Sequence, residues 1–170
     1  SLVGSEMCIR GRPYLSGRRV GLACSDGLHI DRRHVQKSDS ANWASGHRLL
    51  LNPAVEAAVI ENGGRTILGE GLAYDRCQVG IVTNIDPAAE DLARWDVHPS
   101  GGEYFTTYRT AYRTQVDVVP PDGCSVLTAS AELVASLAPL SHGELILFPP
   151  HPASPATAAH LSARHPGLLL

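Results

Sequence analysis

Long apolar runs are missing from this 170-residue sequence. None approaches the ~18 residues of a membrane-span candidate, so no membrane partner is expected. An excess of positive charge is missing too. The formal net charge is -3, and the single lysine is Lys37. That balance gives no argument for nucleic acid or an anionic membrane surface as partner. Clustered cysteines are absent: Cys8, Cys24, Cys77 and Cys124 lie far apart and form no CxxC. A reducing cytoplasm with free, mostly buried thiols is the simplest reading, and a cytoplasmic location is expected. The eight histidines form no HExxH or other metal spacing. Ser25, in CSDG, lacks the G-x-S-x-G frame of a nucleophile elbow. Finally, G-x-x-x-x-G-K-[ST] occurs nowhere, and no glycine loop precedes Lys37. The chain therefore has no phosphate loop of its own.

What is present is enough for one domain with a core: 170 residues, 44% of them hydrophobic. The organising stretch is AAVIENGGRTILGEGLAYDRCQVGIVTNID, residues 57–86. Two short apolar runs, 57–60 and 79–82, flank a polar, glycine-rich segment. Apolar throughout, they read as strands buried on both faces, joined by a crossover helix into one βαβ unit. The first run ends in Glu61 and the second in Thr83, Asn84 and Asp86. Ligands of open parallel sheets bind beyond the carboxyl ends of the strands, so both segments are expected at that edge.

Elsewhere, residues 20–24, 28–30 and 34–36 read as short strands, with Asp39 or Ser40 as cap of a following helix. A short helix is expected after Pro87, and another over 103–119. Pro120–Gly123 reads as a turn, CSVLTAS as a buried strand, AELVASLAPL as a helix and ELILFPP as a last buried strand. Alternating strands and helices predict an α/β fold with a mainly parallel sheet and flanking helices. The first ten residues, SLVGSEMCIR, look like a translated sequencing adapter. The expected division is 1–12 non-native, 13–150 a domain and 151–170 a weakly ordered segment.

The run ENGGRTILGEGLAYDRCQVGIVTN closely resembles the Mur-ligase-like half of bacterial cyanophycin synthetases. That family carries a similar glutamate, a glycine-rich turn, a "GL-aromatic-DRC" run and a "VTN" strand end. The likeness extends outward: Ser25-Asp26-Gly27 stands at the family's "TDG", Lys37-Ser38-Asp39 at its "KGD", and PDG at 121–123 matches directly. The resemblance implies a central domain of Mur ligase type, related to phosphate-loop nucleoside triphosphatases. In the family the phosphate loop lies just upstream of the GRRVG segment, where the adapter-like string stands here. The chain is therefore expected to be a fragment that turns over no ATP by itself.

The resemblance implies an ATP-dependent amide ligase that forms an acyl phosphate on an aspartate side chain for attack by arginine. ATP, Mg²⁺, arginine and an aspartate-containing peptide are the implied partners, with a homo-oligomeric full-length protein. Charge on the phosphates calls for positioning and electrostatic stabilisation rather than covalent help from the protein. Glu61 aligns with a strand-end glutamate that ligates Mg²⁺ in Mur-type enzymes. On the residues alone the plainer reading is a solvated strand-end carboxylate that caps a nearby helix. Asp91 stands where the family has a metal-binding histidine, and a carboxylate is an acceptable hard-oxygen substitute. Asp26 and Asn84 are the candidate cofactor-binding residues, each with a turn or strand-end role as the plainer reading. Arg65 is one place away from the family's arginine and is a candidate, with Glu61, for catalysis, and reads equally as a solvated loop arginine. Two rival readings stand beside this one: a degenerate Mur-like scaffold or subunit contact without catalysis, and another Mur-type ligase.

Overall fold

A computed structural model of the chain describes residues 17–83, 102–128 and 137–148, with side-chain surroundings given for 17–83, 110–128 and 137–147. The chain divides into two compact units, Ser1–Tyr74 and Asp75–Leu170. The boundary falls inside the expected 13–150 domain.

In the first unit the strands are β1 (Val20–Cys24), β2 (Gly27–Ile30), β3 (Arg33–Gln36) and β4 (Ala57–Ile60), in the sheet order β3-β2-β1-β4. β1 and β2 form an antiparallel hairpin, β2 and β3 another, and β4 runs parallel to β1 with Leu22 opposite Val59. Helix α1 (Trp43–Leu50) packs on one face of this sheet. Its buried positions Ser45, Gly46 and Leu49 form one stripe, as the 3.6-residue period requires. Leu49 joins Ala23 and Leu28 in a core completed by Ile30, Val55 and Ile60. The approach is close: a methyl group on Gly21 would lie 2.7 Å from the Leu49 side chain, and one on Gly46 3.1 Å from Ala73.

The cap of α1 differs from expectation. Asn42, not Asp39 or Ser40, occupies the N-cap, and its side chain accepts the Ser45 N–H at 2.9 Å. Asp39 instead accepts the Ala41 N–H, making a local turn two residues long. Ser40 is fully buried and donates to the Ser38 carbonyl. Proximity in sequence could not separate three neighbouring cap-type residues, since each is competent to bond a nearby backbone group.

The second unit carries β5 (Val79–Val82), β6 (Cys124–Thr128) and β7 (Glu144–Phe148), all parallel, in the order β5-β6-β7. Helix α3 (Gly102–Asp117) lies between β5 and β6 in sequence, and the Pro120–Gly123 turn is closed by a Gly123 N–H to Pro120 carbonyl bond of 2.8 Å. Register puts Val82, Leu127 and Leu147 in one row, all buried. The helix side comes close enough that a methyl on Gly80 would lie 2.7 Å from Val119.

Two expectations fail here. The runs 57–60 and 79–82 are strands of different units: β4 pairs with β1, and β5 with β6. Ile60 joins the core under α1, whereas Gly80 meets the end of α3, so each strand follows the helix its own face buries. The intervening helix α2 (Gly64–Gly69) has only six residues, bounded by Gly63 and by Gly71 at φ +80°. Glycine is a poor helix former, and it cuts the helix short. Nor is β5 buried on both faces. Val79 is 52% and Ile81 38% exposed, alternating with the buried Gly80 and Val82. The run is uniformly apolar in sequence, but α3 and its continuation cover one side of it.

The expected helices after Pro87 and over most of 131–140 lie outside the described residues; a short 3₁₀ turn, Ala138–Leu140, is described at the end of the latter.

Candidate functional site

Parallel pairing brings the carboxyl ends of β1 and β4 side by side. The ladder runs one residue beyond the strand, because the Glu61 N–H donates to the Ala23 carbonyl at 2.8 Å. Glu61 therefore starts its side chain beside the turn that leaves β1. There the Ser25 backbone N–H donates to Glu61 Oε2 at 2.7 Å. The Ser25 hydroxyl lies 3.5 Å from Oε1, at the outer limit of hydrogen bonding. A carboxylate offers about four acceptor directions. The short amide bond uses one of them on Oε2, and the long contact scarcely engages Oε1.

The turn itself is held from several sides. Gly27 has φ +136°, a conformation that side-chain-bearing residues avoid, and a methyl there would meet the Gln36 carbonyl oxygen and lie 2.5 Å from His34 Nε2. The Cys24 thiol approaches the Gly27 carbonyl at 3.6 Å, and the Ser40 N–H donates to the Cys24 carbonyl at 2.9 Å. The loop after β3 thus comes to the same end of the sheet. His34 and His29, paired across β2 and β3, stack with ring centroids 4.0 Å apart.

Behind Glu61, the Asn62 side-chain amide donates to the Tyr74 hydroxyl at 2.9 Å. Thr66 of α2 donates its hydroxyl to the Ala41 carbonyl at 2.9 Å, and Glu70, just past α2, accepts the Trp43 N–H at 2.8 Å. These bonds fasten the segment after β4 to the start of α1.

The sequence candidates are distributed as follows. Glu61 is half-buried at the strand end, and Asp26 is exposed in the adjoining β1–β2 turn. Arg65 is exposed in the first turn of α2. Asn84 and Asp91 lie outside the described residues. Glu61 and Asp26 are thus brought to one edge of one sheet. The bond from Ser25 to Glu61 was not anticipated. Its only sequence signal was the turn chemistry of Ser25-Asp26-Gly27, because the donor is a backbone group and the partners are 36 residues apart.

As a ligand set, Glu61, the Ser25 hydroxyl and Asp26 are hard oxygens, the donor class that suits Mg²⁺. Mg²⁺ commonly takes one or two carboxylates, with water and phosphate oxygens completing its shell. Among the described residues there is no group of three His, Cys, Asp or Glu side chains placed to hold a metal ion. The donors here fit a cation shared with phosphate better than one enclosed by protein. The glycine loop and lysine that would grip a triphosphate are not in this sequence.

No protein-family model matches the chain. Curated proteins named cyanophycin synthetase do align with it. The one from Crocosphaera subtropica is 35% identical over 140 residues, which is 81% of this chain and 15% of that protein. The one from Synechocystis is 32% identical over 146 residues, 86% of this chain and 16% of that protein. A third, from Geminocystis herdmanii, is 33% identical over 148 residues. The chain is related to the cyanophycin synthetases. It spans 15–16% of the length of these cyanophycin synthetases, so the relationship concerns one segment of them. The resemblance drawn from residues 61–84 holds at the level of the family.

Proposed function

We propose that the chain is a segment of an ATP-dependent amide ligase of cyanophycin synthetase type, and that it contributes the strand-end carboxylate Glu61 to the nucleotide site. The supporting observation is the placement of Glu61 at the carboxyl edge of parallel strands, with Oε2 taken by an amide and Oε1 little engaged. The similarity to proteins named cyanophycin synthetase supports the reaction class.

In this reading the segment is the central domain of a Mur-type ligase. The γ-phosphoryl group of ATP passes to an aspartate side-chain carboxylate, giving ADP and an acyl phosphate. The arginine amine then attacks the acyl carbon, phosphate leaves, and the amine gives up its proton. Mg²⁺ would be held by Glu61, with Asp91 as second carboxylate, and would supply charge compensation on the phosphates. Asp26 and Asn84 border the nucleotide. Arg65 steadies phosphate or an acidic substrate through its planar fork. This chain has no glycine loop followed by Lys and Ser or Thr to grip the phosphates. The whole protein acts in the cytoplasm as a homo-oligomer. Among the described residues no helix is long and apolar enough to cross a membrane.

The test is made on the protein expressed with its genomic flanks. Ligation of arginine to an aspartate-containing peptide should require Mg²⁺ and ATP and should be lost in Glu61→Ala. Undiminished ligation in that variant rejects the role of Glu61. A second reading, a scaffold without catalysis, draws on the commitment of Glu61 to the Ser25 amide and on aspartate at position 91. Absence of any Mg²⁺·ATP binding by the intact protein would favour it.

A further inference from the structure

We propose that the Ser25 backbone amide is a positioning group that pre-orients Glu61 for a divalent cation on Oε1. The inference rests on the reading of Glu61 as a cation ligand and adds to it the device that aims the carboxylate.

A glutamate side chain has three rotatable bonds, and fixing such a side chain costs roughly 1–2 kcal/mol. A free strand-end glutamate would meet that cost when the cation arrives. Here an N–H from the neighbouring strand's turn already holds one carboxylate oxygen at 2.7 Å, the length of a charge-assisted bond. The donor cannot easily yield. Its turn is locked by Gly27 at φ +136°, close against the Gln36 carbonyl and His34, and by the Ser40 N–H on the Cys24 carbonyl. The cost is therefore borne in folding, and Oε1 is left little engaged at the carboxyl end of β4. The serine hydroxyl contributes little at 3.5 Å, so the amide, not the side chain, is the working group.

The chain itself can be titrated with Mn²⁺, with paramagnetic broadening as readout in an isotope-labelled sample. Broadening is expected to centre on Glu61 and the Ser25 amide. Ser25→Pro, which removes the N–H, should need roughly tenfold more Mn²⁺, equivalent to about 1.4 kcal/mol, for the same broadening at Glu61. Ser25→Ala keeps the N–H and should restore the wild-type requirement. If broadening centres on Glu61 and Ser25→Pro leaves it unchanged, the positioning role is overturned while the ligand reading stands. Broadening centred away from Glu61 overturns the ligand reading itself, and with it this inference. Should Ser25→Pro not fold, a Mg²⁺ titration of the unsubstituted chain decides. The Ser25 amide proton and the Glu61 carboxyl carbon should shift together, and a carboxyl shift with a stationary amide overturns the proposal.

Discussion

The Glu70 carboxylate accepts the backbone N–H of Trp43 at 2.8 Å, so the residue after α2 caps the first turn of α1. Asn42 caps the same helix through the Ser45 N–H. Two of the four donors that an isolated helix leaves unsatisfied are thereby met, one by a residue 27 positions away. Glu70→Ala should cost about 1 kcal/mol of stability, in the range of a lost N-cap, and Asn42→Ala a similar amount. Denaturant unfolding checks both. The double variant should fall short of simple additivity, because the two bonds serve one helix end.

Gly27 offers a sharper test of the β1–β2 turn. Any side chain there is strained at φ +136° and is driven against the Gln36 carbonyl and the His34 ring. Gly27→Ala should destabilise the chain by roughly 2 kcal/mol or more, combining backbone strain with overpacking. Thermal unfolding followed by circular dichroism would show it.

Glu61 can be divided into its two roles by choice of substitution. Glu61→Gln keeps an oxygen for the Ser25 amide and removes the charge, whereas Glu61→Ala removes both. The alanine variant should lose about 1–2 kcal/mol of stability and the glutamine variant clearly less, since a hydrogen bond to a charged group is worth more than one to a neutral amide. In the ligase proposed above, both should depress Mg²⁺-dependent ligation. A glutamine variant with full stability and full ligation would leave Glu61 without a role in cation binding.

The cysteines give a pH-dependent prediction. Burial pushes the Cys77 thiol up from its ordinary value, and burial together with the nearby Glu144 carboxylate does the same for Cys124. The folded state holds these protons more tightly than the unfolded state. Stability should therefore decline as pH rises past the unfolded thiol value of about 8.5. Alkylation of the native chain, read by mass spectrometry, should be slow at Cys77 and Cys124 at neutral pH and faster after unfolding. Cys24, 2% exposed, should stay unmodified until the chain unfolds.

The exposed row of β5 predicts behaviour in solution. Val79 and Ile81 present apolar surface on an edge strand of the described sheet, which favours self-association. Ile81→Lys should raise the concentration at which the isolated chain begins to scatter light, with little loss of thermal stability.

Most strands were legible as short runs rich in apolar residues beside turn formers: Val20 to Cys24 before Ser25-Asp26-Gly27, and Cys124 to Thr128 after Pro120–Gly123. Their partners were not. Whether Ala57–Ile60 pairs with Val20–Cys24 or with Val79–Val82 depends on which helix each buries, and short apolar runs carry no mark of that choice. At the site, the strand-end position of Glu61 followed from a carboxylate closing an apolar run. The hydrogen bond from Ser25 did not, because every residue carries the same amide and only the fold selects which one is used.

The pairing of β1 with β4 has one more implication. Glu61 reaches Ser25 only because Ala23 sits opposite Ile60. Sliding one strand past the other by a single residue would turn the carboxylate to the reverse side of the sheet. The aim of this side chain is thus guarded by the burial of Leu22 and Ala23, and a cavity opened among those apolar groups would blur it from a distance.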